Sequence, residues 1–180
     1  MKTITLVTGN ANKLKEWQRM MPASIQLESA DIDLEEIQSL DLEAIVITKA
    51  KAAYEKVGKP VLVEDVSAGL DELNGLPGPF IKFFEIALGK DALYQLVRTS
   101  PAATATCMIG YYDGSRSLAI RADVYGKVIP LRVDNGFGFD GVFIPDGQTK
   151  TYAEMTPAEK DTVSHRALAI RKLAEQLNQL

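Results

Sequence analysis

The chain has 180 residues, 46% of them apolar and 24% charged, which is enough for a single domain spanning 1–180 with a sizeable core. Its net charge of −4 excludes general binding to nucleic acid or to an anionic membrane surface, while leaving room for a local basic pocket. One cysteine, Cys107, excludes an internal disulfide and a multi-cysteine zinc site, and no apolar run approaches the ~20 residues that span a bilayer.

In chain order, Met1-Lys2-Thr3 leads straight into a strand over Ile4–Thr8, with no signal peptide, so the expected location is the cytoplasm. A helix over Asn12–Met21, a strand over Ile25–Ser29, a helix over Leu42–Val57 and a strand over Val61–Glu64 follow. Asp41 is placed to cap the second helix, which stops at Gly58 before Pro60. Helices over Phe80–Leu88 and Ala92–Arg98 come next. The strands Thr104–Tyr112 and Leu118–Tyr125 flank an Asp113-Gly114 turn, making a long antiparallel hairpin. Cys107 lies in that apolar run and reads as a buried thiol. A strand over Gly141–Ile144 and a helix over Ser164–Leu177 close the chain. The alternation at the start predicts an α/β fold, a mixed sheet with flanking helices, from which the hairpin extends as an arm.

Several stretches carry chemistry. Thr8-Gly9-Asn10-Ala11-Asn12-Lys13 turns from strand to helix and leaves backbone N–H groups where an anion can sit. Lys13 opposes the helix dipole there, and a bound phosphate would remove the conflict. A tight turn with a solvated lysine is the other reading. The stretch is neither a Walker loop nor a dinucleotide fingerprint. Glu64-Asp65 ends an apolar strand and fits a hard-cation site with a base for water; a solvated strand end fits too. Alternation points the two side chains in opposite directions, so one of them leads. Asp33, Glu35 and Glu36 form a second acidic group, which reads as solvated surface unless the fold brings Glu36 to Asp65.

Gly75–Lys82 is a rigid Gly/Pro loop, either a plain turn or a device that delivers Lys82 to a phosphate; Lys49 is a second lysine of that kind. Asn135–Gly141 interleaves Phe137 and Phe139 with glycines, a pattern that suits the wall of a pocket for a flat base better than a core strand. Thr156-Pro157-Ala158-Glu159 is a capping box, which commits Glu159 to the backbone and leaves Lys160 to project elsewhere. His165 is the only histidine, and no serine elbow accompanies it, so a hydrolase triad is excluded.

Taken in order, Thr8–Lys13, Val63-Glu64-Asp65, Gly75–Lys82, Phe137–Asp140, Thr151–Met155 and Ala158-Glu159-Lys160 through Ser164-His165-Arg166 resemble the inosine triphosphate pyrophosphatase family. That resemblance implies an elongated α/β fold with a central nucleotide-binding cleft, and a homodimer. It implies Mg²⁺-dependent hydrolysis, with Mn²⁺ an alternative, of non-standard purine nucleoside triphosphates (ITP, dITP, XTP) to monophosphate and pyrophosphate. By position, Thr8, Gly9, Asn10, Ala11, Asn12 and Lys13 hold the triphosphate; Glu36 and Asp65 hold the metal; Asp65 also orients or deprotonates the water. Lys49 and Lys82 contact phosphates. Phe137, Gly138, Phe139 and Asp140 flank the base, and Lys160, His165 and Arg166 recognise it. Three departures bear on affinity and base choice. Val66 replaces a Ser or Thr, leaving only its backbone N–H for a contact. Phe139 replaces a Trp, and Gly141 a Pro. The rival readings are a nucleotide-binding module without turnover and a related hydrolase with another base preference.

Overall fold

The computed structural model describes residues 2–178, so Met1 of the opening Met1-Lys2-Thr3 lies outside the described residues. These residues form a mixed α/β arrangement with a seven-stranded sheet in the order β2-β1-β3-β5-β6-β7, β4 pairing with β3. By contact density the chain divides into two compact units. The first comprises Met1–Asp65, Met108–Arg121 and Ala169–Leu180 in its described residues, and the second Val66–Cys107 and Ala122–Leu168.

In the first unit, β1 (Lys2–Val7) runs parallel to β2 (Ile25–Ala30), with Lys2 opposite Ile25 and Val7 opposite Ala30. It also runs parallel to the start of β3 (Val61–Leu70), with Thr5 opposite Val61. Helix α1 (Ala11–Met20) follows β1 directly. Helix α2 (Leu42–Val57) starts on Asp41, whose carboxylate accepts from the amides of Glu43 and Ala44, and it stops at Gly58 as expected. Its Leu42, Ile45, Val46, Ala50 and Ala53 recur at helical spacing and pack on Val7, Val61 and Val63. The Asp113 carboxylate closes the turn between β5 (Ala102–Tyr112) and β6 (Ser117–Val128) by accepting from the amides of Ser115 and Arg116. Cys107 is a free, buried thiol.

The second unit holds β4 (Pro77–Gly78), α3 (Ile81–Leu88), α4 (Ala92–Gln95), β7 (Phe143–Pro145), α5 (Pro157–Val163) and the start of α6 (His165–Leu177). Its core gathers Leu70, Ile81, Leu93, Val128, Phe143 and Tyr152, among others. No described helix is long and apolar enough to cross a membrane.

The structure corrects three expectations. β3 does not end at Glu64 but continues to Leu70, because Ala68 and Gly69 pair with Gly78 and Pro77 of β4. Glu64 and Asp65 are therefore inside a strand, not at its end. The expected hairpin of β5 and β6 is present, and both strands are members of the one sheet. Gly141 belongs to a 3₁₀ turn over Gly138–Gly141, and the strand begins at Phe143. The helix expected over Ser164–Leu177 is present as α6, and an extended Ser164 separates it from α5, which starts on the expected capping box.

The third correction has a clear electrostatic cause. The helix expected over Ala92–Arg98 ends at Gln95, because the Glu72 carboxylate accepts from the amides of Arg98, Thr99 and Ser100 and from the Thr99 hydroxyl. Those bonds, the Arg98 amide first, hold the Glu72 carboxyl down at about 2, against 4.5 ordinarily. A carboxyl depressed on folding contributes stability that is complete above its unfolded value and is lost as pH falls toward 2. Glu72→Gln should remove that part of the acid dependence. Urea titrations across this range should show a smaller loss of stability on acidification in the variant than in the parent chain.

Candidate active site

Except for Lys82, which belongs to the second unit, the first unit contains the residues whose side chains were expected around the phosphates and the metal. Asn10 is the N-cap of α1: its side-chain oxygen accepts from the amides of Asn12 and Lys13, at 3.0 and 3.2 Å. The Asn10 amide in turn donates to the Thr8 hydroxyl. The loop therefore satisfies several of its own N–H groups, and the outward amides anticipated from the sequence narrow to those of Gly9 and Ala11. Gly9 is required by a close approach, since a Cβ there would lie 2.6 Å from an Asp31 carboxylate oxygen.

Lys13 and Trp17 stand four residues apart on α1 and so share a face. Both reach Glu64. The Trp17 indole N–H donates to Oε2 of Glu64 at 2.7 Å, and Lys13 Nζ lies 3.2 Å from Oε1. Glu64 is buried and Asp65 half-buried. The buried carboxylate thus answers the dipole conflict of Lys13 within the protein itself.

Glu36 lies in the segment between β2 and α2, and its carboxylate forms an ion pair with Lys49 of α2. Among the described residues no three His, Cys, Asp or Glu side chains gather into a metal cage. Glu36 and Asp65 bring only carboxylate oxygens. One or two carboxylates completed by water and phosphate oxygens is the donor set that Mg²⁺ takes, so these residues fit such an ion.

The second unit contains the residues expected around the base. The capping box of α5 is present in full: the Glu159 carboxylate accepts from the Thr156 amide at 2.7 Å and the Thr156 hydroxyl accepts from the Glu159 amide. Glu159 also pairs with Lys150, and its carboxyl is lowered to about 2, the Lys150 bond contributing most. Lys160, one residue on, turns inward. Its ammonium donates to Asp140 Oδ2 at 2.7 Å, and both side chains are under 10% exposed. Lys160 Nζ is also 5.0 Å from the Phe137 ring centre, and the Arg166 guanidinium carbon is 5.4 Å from it.

Phe139 lies in the core of this unit rather than on an open wall, meeting Phe143 edge to face at 6.1 Å and His165 at 5.7 Å. His165 and Arg166 open α6 and are buried. Phe137 keeps part of its ring exposed. Lys82 is exposed on the first turn of α3, and half-buried Val66 packs against the core.

Two features were not legible in the sequence. Glu64 was read as one of two rival acids, yet it is the partner of Lys13 and Trp17. Glu85 of α3 is the other: its Oε1 and Oε2 stand 3.3 and 3.6 Å from where a Cβ on Gly138 would be. A lone carboxylate within Ile81-Lys82-Phe83-Phe84-Glu85-Ile86 was the available signal for it.

A sequence model of the Ham1 family matches residues 4–176. The inosine triphosphate pyrophosphatase of Schizosaccharomyces pombe is 40% identical over 181 residues, covering 98% of this chain and 96% of that protein. The protein of the same name from Yarrowia lipolytica is 41% identical, covering 95% and 93%. Among solved structures, a HAM1 protein from Coxiella burnetii superposes with a TM-score of 0.84 at 26% identity, over 100% of both chains. A nucleoside-triphosphatase, dITP/XTP pyrophosphatase, from Mycobacterium abscessus superposes with 0.71 at 25% identity, over 95% of this chain and 98% of that one.

The buried Asp140–Lys160 pair makes a stability prediction. Removing one partner strands a charge, so Lys160→Met should destabilise the fold by about 3–5 kcal/mol. Adding Asp140→Leu to that variant should recover most of the loss, as measured by urea unfolding.

Proposed function

Because the chain belongs to the Ham1 family, we propose that it hydrolyses ITP, dITP and XTP to the nucleoside monophosphate and pyrophosphate, clearing non-standard purines from the nucleotide pool. The observation that carries this reading is the buried Lys160–Asp140 pair beside Phe137 and Arg166. It is a set of fixed donors next to an aromatic face, which is what a purine with acceptors at O6 and N7 requires.

Base choice follows from hydrogen-bond polarity. Lys160 and Arg166 are donors only. A 6-keto purine meets them with acceptors, whereas adenine offers an amino donor at the same place and leaves a buried donor unmatched. Phe137 supplies the stacking face, with Gly138 allowing close approach and Asp140 holding Lys160 in line. Phe139 and His165 back this loop from the core.

At the other end of the substrate, Thr8 through Lys13 receive the triphosphate, and the ammonium groups of Lys13, Lys49 and Lys82 offset its charge. Lys49 exchanges Glu36 for a phosphate oxygen, which frees Glu36 as an oxygen ligand. Asp65 orients the water and takes its proton as the water oxygen bonds to the α-phosphorus and the bond to the leaving pyrophosphate breaks. Glu64 remains with Trp17 and keeps Lys13 at its post. Glu36 and Asp65 would hold Mg²⁺, or Mn²⁺ in its place, which when bound would add charge neutralisation on the polyphosphate. The enzyme acts as a homodimer in the cytoplasm.

Purified protein given Mg²⁺ and ITP should release pyrophosphate as the first product; orthophosphate first would refute the reaction. Asp65→Asn should lower kcat on the order of 10²- to 10⁴-fold. Lys160→Met should lower kcat/KM for ITP by about 10- to 100-fold, the worth of a charged hydrogen bond, with a smaller effect on ATP. A panel of ITP, XTP, dITP, GTP and ATP measures the discrimination directly.

A further inference from the structure

We propose that Glu85 is a positioning residue for the base-reading pair, acting through Asp140 on Lys160 so that substrate affinity falls when Glu85 loses its proton. The inference rests on the functional reading above and names a control on that same site.

Glu85 sits on the second turn of α3, half-buried, with its Oε1 closed off from solvent and holding no hydrogen bond. A buried carboxylate oxygen without a donor is costly, and the neutral acid removes most of that cost. The carboxyl lies against the loop that carries the site. Gly138 follows Phe137 and precedes Phe139, and a Cβ on it would sit 3.3 Å from Oε1 of Glu85. Gly138 also has a φ of +60°, so the loop bends around the carboxyl in a conformation that only glycine adopts readily.

The nearby charge is Asp140, on the 3₁₀ turn that packs against α3. Of the other elements packed on α3, β4 carries no charge. α4 carries Tyr94, with Lys90 and Asp91 just ahead of it. Lys90 is engaged with Asp134 and with the Gly136 carbonyl, and Asp91 accepts from Gln95. On α3 itself, Lys82 is exposed. Burial first, and Asp140 second, raise the Glu85 carboxyl from 4.5 to about 7. It therefore changes charge in the neutral range.

With Glu85 neutral, Asp140 and Lys160 form a balanced pair, and Lys160 keeps donors for the base. With Glu85 ionised, the group carries a net negative charge. Asp140 then faces a like charge, and the Lys160 ammonium is drawn toward the carboxylates and away from O6. A purely structural role for Glu85 would not make affinity depend on pH in this way.

The test is steady-state pyrophosphate release from ITP between about pH 6 and about pH 8.5, for the parent chain, Glu85→Gln and Glu85→Leu. The ratio of KM in the parent chain to KM in each variant cancels the titration of the substrate itself. That ratio should rise about three- to ten-fold across the range, centred near neutrality, while the ratio of kcat values stays level. Both variants lack the ionisable group, so they should behave alike, and Glu85→Leu suits the helix if Glu85→Gln folds poorly. Ratios independent of pH, with ITP still hydrolysed, overturn this proposal alone. Absence of pyrophosphate release from ITP at every pH overturns the functional reading and this proposal with it.

Discussion

A charge withdrawn from water has to meet a partner, and each compact unit of this chain is organised around one such meeting. In the first unit the Glu64 carboxylate is buried within β3 and is held by the Lys13 ammonium and the Trp17 indole. In the second the Asp140 carboxylate is buried in a tight turn and is held by Lys160. Neither pair maximises stability, since well-packed apolar residues often do as well or better. What such pairs provide here is an ammonium group fixed in place.

Secondary structure does the positioning. Helical periodicity puts Lys13 and Trp17 on one face of α1, and β3 holds Glu64 buried and Asp65 half-exposed. Asn10 closes the start of α1 with its own side chain, which keeps Lys13 in the first turn. In the second unit the reciprocal bonds of Thr156 and Glu159 fix the start of α5, and Lys160 follows one residue later with its direction set. The break at Ser164 lets α6 begin with His165 and Arg166, both buried. Side chains locked by packing and by capping lose little entropy on meeting a ligand.

The chemistry assigned to the chain needs charge placed before the reaction begins. Phosphoryl transfer asks the protein mainly for positioning and for neutralisation of the phosphate oxygens. Base recognition asks for donors that point at acceptors and cannot turn to suit an amino group.

The sequence by itself determined the local caps and turns. Asp41, the Asp113-Gly114 turn and the Thr156–Glu159 box lie where the sequence puts them, because each closes within a few residues of chain. The order of motifs was enough for the family. Tertiary structure alone decided that β3 continues past Glu64, since the bonds that extend it come from β4. It decided that Phe139 joins a core rather than a wall, and that Lys160 turns inward to Asp140. It also chose Trp17 for Glu64, across 47 residues, and set Glu85 beside Gly138. Local hydrogen bonds are written in neighbouring residues, whereas the partner of a buried charge is selected by whatever packing brings within reach.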